Sequence, residues 1–261
     1  AHGVFALRGD RYAQTTLSRS LQRDVPGSVR DYLLFLGHPR QRERWSKLDR
    51  TVREGRTQSD FFAQLGHDRE LGAAFDAGMS SLSLLGSEAT LASFDFSRFG
   101  TIVDVGGGRG ENLATILRTA PRSRGVLFDL PEVTRGVQRE RMRVESGSFF
   151  ERVPAGGDAY VLKHILHDWD DERARVILGA IKRAMPRHAT LVIIESVVPA
   201  DARQHMAKLI DLEMLVIDGK ERSEREWRTL LAGCGFTLAR ITPTAGPVSV
   251  LEARLSDTSD A

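Results

Sequence analysis

Thr101-Ile102-Val103-Asp104-Val105-Gly106-Gly107-Gly108-Arg109-Gly110 is the stretch that decides how the chain folds. Thr101 to Val105 is a short apolar run rich in β-branched residues, the pattern of a strand buried in a parallel sheet. Glycines follow at once. Glu111 to Ala120 then reads as a helix, with Leu113, Ile116, Leu117 and Ala120 on one face and Pro121 as its stop. Strand, glycine turn and helix form a nucleotide-binding βα unit, because glycine lets the backbone come close to a ligand. The spacing narrows the ligand. Gly106, Gly108 and Gly110 give G-x-G-x-G, whereas a dinucleotide fingerprint needs its third glycine where Glu111 stands. Asp104, at the strand end, would repel a phosphate and suits a ligand with a cationic amino group.

Beyond this unit the chain alternates strand and helix, which argues for a parallel sheet with helices on both faces. Gly125 to Asp129 is a second strand ending in an acid. Asp129 lies 19 residues past Gly110, where a carboxylate can bind the two hydroxyls of a ribose; the other reading is a helix cap before Pro131. Arg143 to Ser146 is a third strand, followed by Gly147-Ser148-Phe149-Phe150. Ala159 to Leu162 is the fourth and runs into Lys163-His164-Ile165-Leu166-His167-Asp168-Trp169. Asp171 to Met185 is a helix with acids at its start and Pro186 as its stop. Thr190 to Val198, holding Glu195, is a fifth strand. A helical turn near Asp211 to Val216 precedes Gly219-Lys220-Glu221-Arg222. Ser223 and Glu226 then form a capping box for a helix ending at Gly233 or Gly235, and Phe236 to Ile241 with Val248 to Ala253 make an antiparallel hairpin.

Before the glycine turn the pattern is different. Val4 to Leu7 and Arg11 to Ala13 read as a hairpin. Helices are expected over Ser28 to Leu36, Arg42 to Val52, Asp60 to Leu65 and Arg69 to Leu85. Leu71, Phe75, Met79 and Leu82 recur at helical spacing, either as a core stripe or as the wall of an aromatic-substrate pocket. Residues 1–60 carry 12 Lys/Arg against 7 Asp/Glu, scattered over helical pattern as on a solvated face. Over the 261 residues, 37 basic side chains nearly balance 35 acidic ones, so composition demands no polyanionic partner. A single cysteine, Cys234, excludes an internal disulfide framework and fits a reducing, cytoplasmic setting. No apolar run approaches the ~18 residues of a membrane span.

Four stretches together resemble the S-adenosylmethionine (SAM)-dependent O-methyltransferases of the plant caffeate/flavonoid type and their actinobacterial natural-product relatives. They are Val103 to Gly110, Phe128-Asp129-Leu130-Pro131, Leu162 to Trp169, and Gly219 to Arg222. The resemblance implies a class I methyltransferase fold, a Rossmann-like doubly wound sheet. A SAM-binding catalytic domain over 95–261 would follow a mostly helical, partial winged-helix region over 1–94 that mediates homodimerisation and lines the acceptor pocket. It implies a cofactor site of Asp104, Gly106, Gly108, Gly110, Asp129, Leu130, Ser148, Phe149 and Lys163. It makes His167 the general base, flanked by Glu195 and Glu221, and puts Asp168 and Met214 in the acceptor pocket with Phe75, Met79 and Leu82. No metal is expected.

The chemistry agrees with those roles. Methylating a phenol is a displacement at the sulfonium methyl, for which alignment supplies much of the rate. A phenol has pKa ≈ 10, so a histidine near 6.5 can take its proton during attack. The rate is expected to fall below about pH 6.5, with the limb moved upward by carboxylates that stabilise the imidazolium. The alternative for His167 is a cap on the helix at Asp171, and His164 does not match the family's base position. Three departures stand out. Only the last hairpin and following helices of the family's winged-helix module are present; the stretch between Asp129 and Gly147 is short; and Ser148 stands where the family has an acid for the adenine amine. Two other functions fit parts of the pattern. One is a SAM-binding enzyme of the same fold with hydroxylase or decarboxylase chemistry, the other a winged-helix nucleic-acid regulator.

Overall fold

The computed structural model describes residues 2–55 and 61–257, and the side chains of 83–86 lie outside that description. Seven strands form one sheet: β1 (Thr101–Val105), β2 (Arg124–Asp129), β3 (Met142–Ser146), β4 (Ala159–Lys163), β5 (Thr190–Glu195), β6 (Phe236–Pro243) and β7 (Ser249–Leu255). Their order is β6-β7-β5-β4-β1-β2-β3. β1 to β5 are parallel, and β7 pairs antiparallel with both β5 and β6. This is the class I methyltransferase sheet. The order reverses between β1 and β4, which pair directly through Val103 and Tyr160. Ligands in such sheets sit beyond the strand ends at this switch point.

Alternation along the strands divides the core in two. Val103, Val105, Leu191 and Ile193 face one cluster with α3 (Asp171–Ala184) and α5 (Glu224–Gly233), through Ile177, Leu178, Ile181 and Trp227. Ile102, Val192 and Ile194 face the other, with Phe96 and with Leu113, Ile116 and Leu117 of α2 (Glu111–Thr119). Both faces are dry, so these strands are apolar throughout rather than alternating with polar residues.

The N-terminal region is a hairpin (Phe5–Arg8 and Arg11–Gln14) followed by helices. The longest, α1 (Arg69–Ser93), is capped by Asp68, whose side chain accepts from the Leu71 N–H at 3.0 Å. It runs eight residues past the expected end, because a glycine such as Gly86, the third within this helix after Gly72 and Gly78, costs only about 1 kcal/mol and does not stop it. The helix expected over 42–52 is instead two, Pro39–Trp45 and Leu48–Glu54. Ser46 Oγ donates to the Glu43 carbonyl at 2.7 Å between them, a local bond that competes with the helical ladder. Asp60 lies outside the described residues, and the helix beside it is Phe61–His67. A third apolar cluster joins Phe35, Phe61 and Leu71 to Met214, Val216 and Ile217. It fastens the N-terminal helices to α4 (Met206–Leu215), which is longer than the turn the sequence suggested. Trp45 Nε1 and Gln41 both donate to Glu213 of α4.

The short stretch after Asp129 folds as a single helical turn, Pro131–Thr134, tied to β3 by the Thr134–Ser146 hydroxyl pair at 2.8 Å. The strand expected to reach Val198 breaks at Ser196. Val197–Val198 instead forms a separate two-residue ladder with Arg222–Ser223. That ladder sets Glu195, at the end of β5, beside Glu221.

Candidate active site

Two structures meet at the ends of β1 and β4. The first is the glycine turn. Gly106, Gly108 and Gly110 have φ of 71°, 61° and 82°, which L side chains rarely adopt. A Cβ on Gly106 would strike Ile165 at 2.5 Å, whereas one on Gly108 would point into open space. The turn therefore packs on the segment after β4 and leaves one face free for a ligand. Asp129 Oδ2 accepts from the Gly108 N–H at 2.8 Å and Oδ1 from the Leu130 N–H at 2.7 Å. These bonds spread its carboxylate across the open face. No side-chain cap bond opens the helix at Pro131, so capping is not what holds Asp129 there.

Asp104 is buried, and its Oδ2 has no hydrogen-bond partner. Burial pushes its pKa up to about 7 despite the opposing charge of Lys163. Lys163, at the end of β4, is pulled down to about 8 by burial, with Asp104 opposing, and lies 3.5 Å from Ser87 Oγ of α1. An orphaned acid oxygen on Asp104, the half-buried carboxylate of Asp129 and a turn with one open side fit the charged amino group and ribose of SAM. Ser148 is engaged locally: its Oγ accepts from the Phe150 N–H at 3.3 Å. Phe149 packs on Phe150 and on the sheet core.

The second structure is the turn Leu166–Asp168, which carries His167. Glu195, wholly buried, holds it from below: Oε1 accepts from the N–H groups of Ile165, Leu166 and His167 at 3.0, 2.8 and 3.4 Å. Its other oxygen lies 3.5 Å from His167 Nδ1. Glu221 Oε1 meets the same Nδ1 at 2.8 Å, and the Glu221 N–H donates to Asp211 of α4 at 2.8 Å. Asp168 Oδ1 stands 3.5 Å from Nε2. His167 is not the cap of α3, since Asp170 fills that role by accepting from the Arg173 N–H at 2.8 Å. Burial alone would lower the His167 pKa. The charges of Glu195, Asp168 and Glu221, with the Glu221 hydrogen bond, outweigh it and push it up to about 10. Burial raises Glu195, and lifts Asp168 to about 7.

The Gly219–Arg222 stretch clamps this turn. The Lys220 N–H donates to the His167 carbonyl at 2.8 Å, and a Cβ on Gly219 would collide with that carbonyl. Arg222, whose guanidinium role the sequence left unassigned, is fully buried. It donates to the carbonyls of Leu166 (2.8 Å) and Trp169 (2.9 Å) and to Asp171 Oδ1 (3.0 and 2.9 Å). A buried arginine has no signature in one sequence beyond its place in the motif.

The expected acceptor residues are only partly brought together. Phe75 and Met79 pack in the same cluster as Met214, and Leu82 is half-buried further along α1. A cleft of about 330 Å³ is lined by Asp168 from the expected set, together with Phe61, Phe62, Phe150, Trp169 and Ile217, among others. Trp169 lies on Phe62 with ring centroids 4.9 Å apart. The adjacent Phe61-Phe62 pair was the sequence signal for this wall. His164, His167 and Glu195 each bring one nitrogen or oxygen to within 4.8 Å of the others.

Comparison with known proteins decides the family. Residues 45–237 match the model of the O-methyltransferase domain. The chain belongs to the O-methyltransferase family. Among O-methyltransferases it is 40% identical to the O-demethylpuromycin-O-methyltransferase of Streptomyces alboniger, over 93% of this chain and 70% of that protein. It is 36% identical to the phenazine O-methyltransferase PhzM of Lysobacter antibioticus, over 97% and 76%. The crystal structure of LaPhzM superposes with a TM-score of 0.90 at 36% identity, covering 97% of this chain and 81% of that one. That of NcsB1 from neocarzinostatin biosynthesis, in complex with S-adenosyl-L-homocysteine and 1,4-dihydroxy-2-naphthoic acid, gives 0.82 at 31%, covering 97% and 81%.

Proposed function

We propose that this O-methyltransferase transfers the methyl group of SAM to a phenolic hydroxyl of a small aromatic secondary metabolite, with His167 as general base. The cofactor is SAM. The observation that carries the reading is the Glu221–His167 bond at 2.8 Å on a turn that packs against the glycine cradle through Ile165. With the Nδ1 proton donated to Glu221, Nε2 is left with a lone pair for the acceptor hydroxyl. SAM supplies the electrophilic methyl. Bound SAM would offer its sulfonium methyl to the acceptor oxygen, with the sulfonium sulfur keeping the electron pair of the S–C bond, and His167 Nε2 would take the phenolic proton. Glu221 and Glu195 stabilise the imidazolium so formed. Two states are kinetically equivalent: neutral His167 facing a phenol, and imidazolium facing a phenolate. Each holds one proton between Nε2 and oxygen. The carboxylates around His167 raise its pKa above the ordinary imidazole value, which narrows the gap to a phenol and favours that transfer.

Asp129 binds the ribose, Asp104 and Lys163 flank the amino-acid end, and Leu130, Ser148 and Phe149 border the adenine. Phe75, Met79, Leu82, Asp168 and Met214 line the acceptor side. Residues 1–94 serve dimerisation and acceptor binding, and 95–261 catalysis. Exposed apolar side chains on the N-terminal region, including Leu7, Tyr12, Leu34 and Val52, support a homodimer. The relatives' names, among them an enzyme of mitomycin biosynthesis, support a role in antibiotic production, and the single cysteine fits a cytoplasmic setting. No described helix is long and apolar enough to cross a membrane. Incubation with methyl-labelled SAM and a panel of phenolic acceptors tests the reading, the expected product being a labelled aryl methyl ether. Acceptor that is hydroxylated or decarboxylated, with the label never leaving SAM, would select the non-methylating chemistry instead.

A further inference from the structure

His164 is given no part by methyl transfer, yet the structure holds it in a costly arrangement. Its φ is 54°, a left-handed conformation uncommon outside glycine. Its ring lies 5.1 Å from that of His167, and its Nδ1 is buried without a hydrogen-bond partner. Glu195 Oε2 is likewise buried with no hydrogen bond. Buried polar atoms are normally satisfied, and strained backbone clusters where a site requires it. One nitrogen from each histidine and one Glu195 oxygen lie within 4.8 Å of one another. Two imidazoles and one carboxylate are a zinc donor set that leaves a fourth position open. Zn–N and Zn–O bonds near 2.0–2.2 Å in a tetrahedron place ligand atoms about 3.4 Å apart, so modest side-chain rotation closes the cluster. Glu221 and Asp168, beside His167, add the negative charge that a dication needs.

We propose that His164, His167 and Glu195 bind a divalent transition-metal ion such as Zn2+, and that occupancy inhibits the enzyme. Binding rests on the cluster alone; inhibition rests also on His167 being the base. A metal on Nε2 takes the lone pair that would receive the acceptor proton. A metal on Nδ1 displaces the Glu221 bond and leaves the proton on Nε2. Either mode disables the base, which makes His164 the residue through which metal reaches catalysis.

The test measures binding and turnover separately, on the whole chain. Equilibrium dialysis against ZnCl2, with Co2+ absorption as a report of tetrahedral nitrogen and oxygen ligands, reads binding. The expected result is one metal per chain in the wild type and at least about 10-fold weaker binding in His164→Gln. Wild-type methyl transfer should stop at saturating Zn2+, and His164→Gln should keep its metal-free turnover while resisting Zn2+. Equal Zn2+ binding by the two proteins would overturn the site. So would a wild type that takes up no metal. Full binding with undiminished turnover would overturn inhibition and would count against His167 as base. A site that binds nothing, with His167→Ala still inactive, would overturn the metal proposal alone.

Discussion

Replacing Arg222 by Met removes the guanidinium while keeping much of its buried volume. The Leu166 and Trp169 carbonyls then lose donors at 2.8 and 2.9 Å in the interior. The Leu166 carbonyl keeps the long bond from the Trp169 N–H at 3.4 Å, whereas the Trp169 carbonyl is orphaned, at a cost of about 1–3 kcal/mol. The pair with Asp171 adds little, because that carboxylate is 39% exposed and surface ion pairs contribute at most about 1 kcal/mol. Burying an apolar side chain offsets part of the loss, so the net cost is about 1–3 kcal/mol. Both carbonyls belong to the turn that carries His167. Loosening it by about 1 Å should lower kcat about 10²-fold. SAM affinity should hardly change, since the glycine turn and Asp129 make no contact with Arg222. Urea denaturation, kcat with a phenolic acceptor and calorimetric SAM binding separate the three effects. Arg222→Lys should not rescue, because one ammonium cannot serve three acceptors in a fixed fork. A stability loss under about 1 kcal/mol together with wild-type kcat would refute the view that Arg222 positions the base.

Other outcomes follow from the same geometry. Base catalysis needs one proton fewer on the His167–acceptor pair, and the carboxylates raise His167 toward about 10, so kcat should keep rising with pH well above 6.5. Glu195→Gln keeps an acceptor for the three N–H groups but removes a charge, so it should move that limb to lower pH. A limb fixed at 6.5 in both proteins would mean that the carboxylates do not act on His167. Asp129→Ala should weaken SAM binding by about 1.5–3 kcal/mol through lost charged hydrogen bonds, as read by titration calorimetry; unchanged affinity would free Asp129 from the ribose. Light scattering should give a dimeric mass at micromolar concentration, and a monomer throughout would show that the exposed N-terminal apolar side chains have another use.

The sheet was legible because its strands are buried on both faces and its turns are punctuated by glycine and proline. Thr101–Val105, Arg124–Asp129 and the capping box at Ser223 stand within a residue or so of where the sequence put them. The glycine spacing also pointed to the open cradle, since Gly106 and Gly108 sit there in conformations other residues resist. Helix ends were harder to read. Whether Ser46 interrupts a helix, or Gly86 does not, depends on local hydrogen bonds and tertiary packing that a periodicity cannot carry. The acceptor side was harder still. Phe75 and Met79 fit a core stripe and a pocket wall equally, and the structure packs them beside Met214 while Phe61 and Phe62 face the cleft. Glu195 was placed near the base only by resemblance. Its grip on three consecutive N–H groups arises from the break at Ser196 and the two-residue ladder that follows, and neither carries a sequence signature.

In the proposed reaction His167 takes the acceptor proton during methyl transfer. This role is tested most directly by single-turnover methylation of a phenolic acceptor with wild type and His167→Ala, each saturated with SAM. The expected rate is about 10²–10⁴-fold lower in the variant, with SAM affinity unchanged. A His167→Ala protein that methylates at the wild-type rate would contradict it.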